Sequence, residues 1–179
     1  MVLRITSGIY KNRKLVTLPG KDFRPLSDRV KLALFSIISE RVGNSSFLDL
    51  FAGAGSVGLE ALSRGAASVV FVEKERKKVE LIRKNTETLG AEKDVIIHKK
   101  DVFNYFPEEK FDIVFAGPPY RENYCTDILR HVLEAGLMER SSLLILQHHF
   151  KEKPDFAGFE ILDSRKYGIT QIDFAKLIS

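Results

Sequence analysis

Residues 46–65 read SFLDLFAGAGSVGLEALSRG, and the fold depends on how this stretch divides. Residues 46–51 form a short apolar run, 52–58 a glycine turn, and 59–65 have a helical composition, which predicts strand, turn and helix in succession. Gly53, Gly55 and Gly58 fall on the spacing GxGxxG. That spacing lets a backbone pass close to a ligand at a helix N-terminus, although a tight strand-to-helix turn also favours glycine on steric grounds alone.

Downstream, the same pattern repeats. SVVFVE (68–73) predicts a strand and ERKKVELIRKNTETLG (75–90) a helix, with Gly90 at its C-cap. DVIIHKKD (94–101) and FDIVFA (111–116) predict two more strands, residues 124–134 a helix, and LLILQ (143–147) a fifth strand. The final stretch, 158–178, alternates through two strands that turn near Tyr167 and Gly168. Strands alternating with helices predict an α/β fold with a mostly parallel, doubly wound sheet, and the terminal hairpin supplies antiparallel strands. Upstream, LRITSGIYKNRKLVTL (3–18) predicts two short strands around a turn at Tyr10–Asn12, an N-terminal β-hairpin. RPLSDRVKLALFSIISE (24–40) predicts a helix capped by Ser27, with Val30, Ala33, Leu34, Ile37 and Ile38 on its buried face.

A chain of 179 residues, 44% hydrophobic, suits one domain with a substantial core. We expect a basic hairpin extension at 1–26 and a catalytic domain at 27–179. No apolar run approaches a membrane span and the N-terminus has no signal-peptide pattern, so a cytoplasmic location without membrane partners is expected. Cys125 is the sole cysteine, so no internal disulfide forms, and its expected role is that of a spectator. The net charge is +4, but residues 1–31 carry eight Lys or Arg (Arg4, Lys11, Arg13, Lys14, Lys21, Arg24, Arg29, Lys31) against Asp22 and Asp28. Such asymmetry points to a polyanion at this end, with a solvated basic arm as the bland alternative.

The chemistry-bearing residues fall at the ends of the predicted strands. Glu73 closes the second strand, where a carboxylate accepts the two hydroxyls of a ribose. Asp101 ends the third, placed for the edge of an adenine. These features fit a nicotinamide dinucleotide as well as S-adenosylmethionine. Asp49, four residues before Gly53, favours the latter, since a buried negative charge helps a sulfonium or amine and not a pyrophosphate. After the fourth strand comes VFAGPPY (114–120). Its prolines stop the strand and fix carbonyls toward an amine, and Tyr120 offers a stacking face or simply a rim aromatic. His98, His131, His148 and His149 have no ligand spacing, so no metal is expected.

With RITSGIYKNRKL, RPLSDRVKLALFSII, DLFAGAGSVGLEALSRGA, FVEKE, PPY and a late KYG in order, the chain resembles the RsmD family of bacterial 16S rRNA guanine-N2 methyltransferases. The resemblance implies a Rossmann-like class I methyltransferase fold, S-adenosylmethionine as cofactor, and ribosomal RNA or the small ribosomal subunit as substrate; a monomer is expected. It places Asp49, Phe51, Gly53, Gly55, Glu73, Lys74, Asp101 and Val102 at the cofactor, and Gly117, Pro118, Pro119 and Tyr120 at the target base. Arg4, Lys11, Arg13, Lys14, Arg24 and Arg29 would hold RNA. The chain departs from the pattern at Gly117, where the family's turn begins with Asp, and at Gln147 and Ile169, where acidic residues are expected. Slowed turnover is therefore expected. A weakened or inactive RNA-binding paralogue, a DNA adenine-N6 methyltransferase and a dinucleotide oxidoreductase stand as alternatives.

Overall fold

Apolar residues recur on both sides of the central strands, so the sheet must be covered on both faces. The computed structural model describes residues 3–18, 26–120 and 124–178. In chain order its elements are α1 (Asp28–Ile37), α2 (Ser39–Val42), β1 (Ser46–Leu50), α3 (Ser56–Ser63), β2 (Ser68–Val72), α4 (Arg76–Leu89), β3 (Val95–His98), β4 (Phe111–Ala116), α5 (Tyr124–Glu134), β5 (Met138–His149), β6 (Phe159–Tyr167) and β7 (Thr170–Leu177). Phe47, Val69, Phe71, Ile113, Phe115 and Ile145 pack in one buried cluster with α1, α3 and α4. The intervening Leu48, Leu50, Val70, Val72, Val114, Ala116, Leu144 and Leu146 pack in another with α5. That is the period-2 pattern of strands sandwiched between helical layers.

The seven strands lie in the order β3-β2-β1-β4-β5-β7-β6. β1 to β5 pair in parallel, and β7 runs antiparallel to both β5 and β6. From β1 the chain winds outward to β3 and then returns to β4 on the other side of β1. The carboxyl ends of β1 and β4 therefore flank the point where the winding reverses, which is where open α/β sheets bind ligands. Among the described residues no helix is long and apolar enough to cross a membrane.

The N-terminal segment closes a hairpin with one antiparallel bridge, Arg4 to Lys14, and not the two strands expected from its alternation. Ile5 N, Asn12 N and Leu15 N bond across the hairpin to the Arg13, Ile5 and Leu3 carbonyls, while other donors go to the body of the protein. Thr6 N and Ser7 N donate to the Glu60 carboxylate at 2.8 and 3.0 Å, Ile9 N to the Ser63 carbonyl at 2.8 Å, and Val16 N to Asn85 Oδ1 at 2.7 Å. Docking satisfies backbone groups that a ladder would otherwise take. Leu3, Ile5 and Leu15 are buried in the same cluster as α3 and α4.

Three expectations change in detail. Ile37 is 41% exposed, because α1 ends there and the core face runs through Val30, Lys31, Leu34, Phe35 and the capping Ile38. β5 extends well beyond 143–147 in both directions. β3 stops at His98, so Asp101 caps a short 3-10 turn three residues later and does not end the strand.

Candidate functional site

The site is built where β1 runs out. Asp49 faces the helical layer of α3, between Phe71 of β2 and Phe115 of β4 in strand register. It is fully buried, and its Oδ2 accepts the Gly58 N–H at 2.9 Å, so it caps the first turn of α3 from a neighbouring strand. Burial pushes this carboxyl up to about 7. The Gly58 N–H pulls the other way, and the nearby Glu73 charge adds to the rise. Phe51 follows with φ 63°, a region that is strained for a side chain with a Cβ. Its N–H bonds the Val72 carbonyl at 3.1 Å, and its ring meets Tyr124 at 5.6 Å. Gly53 and Gly55 have φ of 60° and 78°, which fits glycine at both turns of the loop. Gly58 has a different reason to be glycine: a Cβ there would lie 2.4 Å from Phe71 Cε1, so the residue lets α3 press against β2.

Glu73 leaves β2 and ties two loops together. Its Oε2 accepts Gly53 N at 3.0 Å and its Oε1 accepts Glu75 N at 2.9 Å, and the residue is buried. Each carboxylate oxygen keeps a further lone pair. Lys74 is exposed and reaches Asp101 Oδ2 at 3.3 Å, while Asp101 Oδ1 takes Phe103 N at 3.1 Å. Val102 is buried behind them. The eight cofactor candidates thus fall at the carboxyl ends of β1 and β2 and in the segment after β3.

At the end of β4, Gly117 N bonds the Leu50 carbonyl at 3.4 Å, which joins the proline turn to the end of β1. Pro118 is buried, whereas Pro119 and Tyr120 are exposed. The Tyr120 hydroxyl meets Thr170 Oγ1 at 2.7 Å and receives Gln147 Nε2 at 3.4 Å, and its ring packs edge-on against His149 at 5.6 Å. Tyr120 is thus held at the rim by β5 and β7 while its ring stays accessible.

The basic residues separate into two groups. Lys11, Arg13, Lys14 and Arg29 are exposed, with Arg13 donating to the Thr88 carbonyl at 2.6 Å. Arg4 is paired with Asp28 at 2.8 Å. Arg24 lies outside the described residues. Lys31, counted in the basic end of the sequence, is no part of a surface: it is fully buried and paired with Glu60 at 3.3 Å, and it donates to the Arg4 carbonyl at 2.5 Å. Burial pulls its ammonium below the usual lysine value, against the opposing pull of Glu60. Glu60, which sequence reasoning passed over, is the hub here, also accepting Thr6 Oγ1 at 2.7 Å and Arg64 Nε at 2.9 Å. Its signal was a carboxylate between Leu59 and Ala61 in a helix buried on every side. Cys125 is buried and its thiol pushed up by that burial, an inert setting.

A family model described as "Conserved hypothetical protein 95" matches residues 3–176. The ribosomal RNA small subunit methyltransferase D of Haemophilus influenzae is 34% identical over 157 residues, covering 85% of this chain and 81% of its own length. The solved structure of a hypothetical protein from Thermus thermophilus superposes with a TM-score of 0.85 at 30% identity, over 98% of this chain and 100% of that one. An RNA methyltransferase of Salinibacter ruber, solved in complex with S-adenosyl-L-homocysteine, shares the fold with a TM-score of 0.69 at 16% identity, over 86% and 94% of the two chains. Matched by that model over nearly its whole length, the chain belongs to the conserved hypothetical protein 95 family, the RsmD family that its motifs resemble.

Proposed function

We propose that the chain methylates the exocyclic N2 of a guanine in small-subunit ribosomal RNA, with S-adenosylmethionine as donor. The observation that carries this reading is a meeting of unlike parts at one switch point. A buried carboxylate and a left-handed glycine loop end β1, and a stiff proline turn bonded to the Leu50 carbonyl carries an accessible aromatic ring. The Haemophilus influenzae relative, named for the small-subunit RNA, supports the substrate class.

The residues present fit the donor. Asp49 is a desolvated carboxyl poised near neutrality, which a cationic group beside it would bring to its charged form. The spare lone pairs of Glu73 suit two vicinal hydroxyls, and Asp101 and Val102 stand where a base edge and face would rest. When bound, S-adenosylmethionine supplies a sulfonium methyl: the guanine nitrogen lone pair forms the new N–C bond as the S–C pair returns to sulfur, and the surplus nitrogen proton leaves to solvent.

The chain's own task is orientation. The lone pair of an aromatic amine is delocalised into its ring, so acceptors must hold the N–H groups out of plane while nitrogen bonds to carbon. The carbonyls of the 117–119 turn are fixed by the two prolines, and Tyr120 supplies the face on which a base stacks. The exposed Lys11, Arg13, Lys14 and Arg29 supply phosphate contacts. The absence of a carboxylate at Gly117 favours one second reading, an RNA-binding paralogue without turnover. The test is incubation with labelled S-adenosylmethionine and small subunits, or naked ribosomal RNA, from a strain lacking the gene. A methyl mapped to a guanine N2 supports the reading; a bound but unmethylated RNA favours the paralogue.

A further inference from the structure

Gly117 opens the proline turn without a side chain, yet the space beside it is filled. A Cβ built on Gly117 would lie 3.2 Å from Gln147 Oε1 and 3.0 Å from Phe115 Cε1. The parallel register explains why: Ala116 pairs with Leu146, so the next residues of β4 and β5, Gly117 and Gln147, stand abreast at the carboxyl edge of the sheet. By the strand alternation both project to the face that Asp49 shares.

The amide is oriented by its neighbours. Its Nε2 donates to the Tyr120 hydroxyl, which meets Thr170 Oγ1 at 2.7 Å, and this directs Oε1 toward the turn. Next along β5, His148 Nε2 is bonded to Asp173 Oδ2 at 2.6 Å, which pins this end of the strand to β7. Among the described residues, Oε1 itself accepts no hydrogen bond. A half-buried carbonyl oxygen, oriented by its neighbours and accepting no bond from the described residues, is what an N–H donor requires.

We propose that Gln147 Oε1 is the acceptor for one N–H of the target amine in this chain, the second N–H going to a backbone carbonyl of the turn. The proposal rests on the methyl-transfer reading above. Glycine at 117 then has a cause: a Cβ there would crowd Gln147 Oε1 at 3.2 Å, so the glutamine amide would have to give by a few tenths of an ångström. Gln147 and Gly117 act as a pair, with the side-chain acceptor at the end of β5 and none at 117.

The test is a cycle of variants in single-turnover methylation of ribosomal RNA, with cofactor affinity measured by calorimetry. Gln147→Met keeps the length and apolar stem but loses the acceptor, so the rate should fall roughly two- to tenfold with cofactor affinity unchanged. Gln147→Glu, which keeps an acceptor, should match or exceed the native rate. Gly117→Asp should raise the rate more in the Gln147→Met background than in the native chain, where it meets the amide at 3.2 Å. That non-additivity separates an acceptor from a mere prop for Tyr120, because a prop would not be replaced by a carboxylate at 117. A native rate in Gln147→Met, or a loss that Gly117→Asp does not repair, overturns the proposal while leaving the methyl-transfer reading intact. A native chain that binds cofactor and RNA yet transfers no methyl overturns both.

Discussion

Replacing Asp49 with Asn asks whether the glycine loop is built around a charge waiting for a cation. The carboxyl is raised from 3.8 to about 7, first by burial, with the Gly58 N–H opposing and Glu73 adding to the rise. Because the folded form has the higher value, it binds more protons than the unfolded chain between about 3.8 and 7. Stability therefore falls as pH rises through that window, and the loss is complete above it. From about pH 5.5 to about pH 8 this one group removes roughly 2 kcal/mol from the folded state. Asn keeps an oxygen for the Gly58 N–H and carries no charge to desolvate. Urea titrations of the cofactor-free protein at those two pH values should show the variant gaining on the native chain by about 2 kcal/mol toward the higher pH. The same variant should bind S-adenosylmethionine about one to two decades more weakly, since a charged partner is removed. A stability difference that does not move with pH would refute the reasoning, because a carboxyl that titrates normally holds no desolvated charge for a ligand to relieve.

Three further outcomes follow from the same geometry. Glu73→Ala should weaken cofactor binding by about one to two decades and loosen the loop that Gly53 N anchors, read by calorimetry and by faster amide exchange at Gly53 and Glu75. Glu60→Ala strands Lys31 without its buried partner and frees the Thr6 and Ser7 N–H groups, so denaturation should report a loss of about 3–5 kcal/mol; a loss under about 1 kcal/mol would mean the ammonium finds water. Neutralising Lys11, Lys14 and Arg29 together should flatten the salt dependence of RNA binding by about 0.7 to 0.9 for each phosphate that is no longer neutralised, with cofactor affinity unmoved; an unaltered slope would return these residues to plain surface.

The architecture was legible because periodicity speaks directly about burial. The runs through Phe47, Val69 and Val114 are short, apolar and punctuated by glycine, and no other arrangement of layers covers them. The positions of Glu73 and the 117–120 turn followed from strand ends alone. What stayed hidden depends on contacts across long stretches of chain. Lys31 reads as one more cation in a basic end, and only its meeting with Glu60 makes it a core residue. Two alternating runs at 3–18 look like a full ladder, yet only part of their backbone pairs across the hairpin, and Glu60, Ser63 and Asn85 take the N–H groups of Ser7, Tyr10 and Val16. Gln147 reads as a missing carboxylate in sequence, and as a placed carbonyl only when β4 and β5 lie side by side.

The Glu60 hub has a consequence for how the chain is made. Thr6 and Ser7 leave the ribosome before their acceptor, which is 54 and 53 residues further on, and the Asn85 that holds Val16 is 69 residues beyond it. Part of the segment can settle once α3 is made, but Val16 finds its partner only when α4 has followed, so the docking of the segment is completed only at that stage. When it docks, it does so on α3 and α4, and the opposite end of α3 is the glycine loop, so the settling of the arm and the shaping of that loop share one two-turn rod.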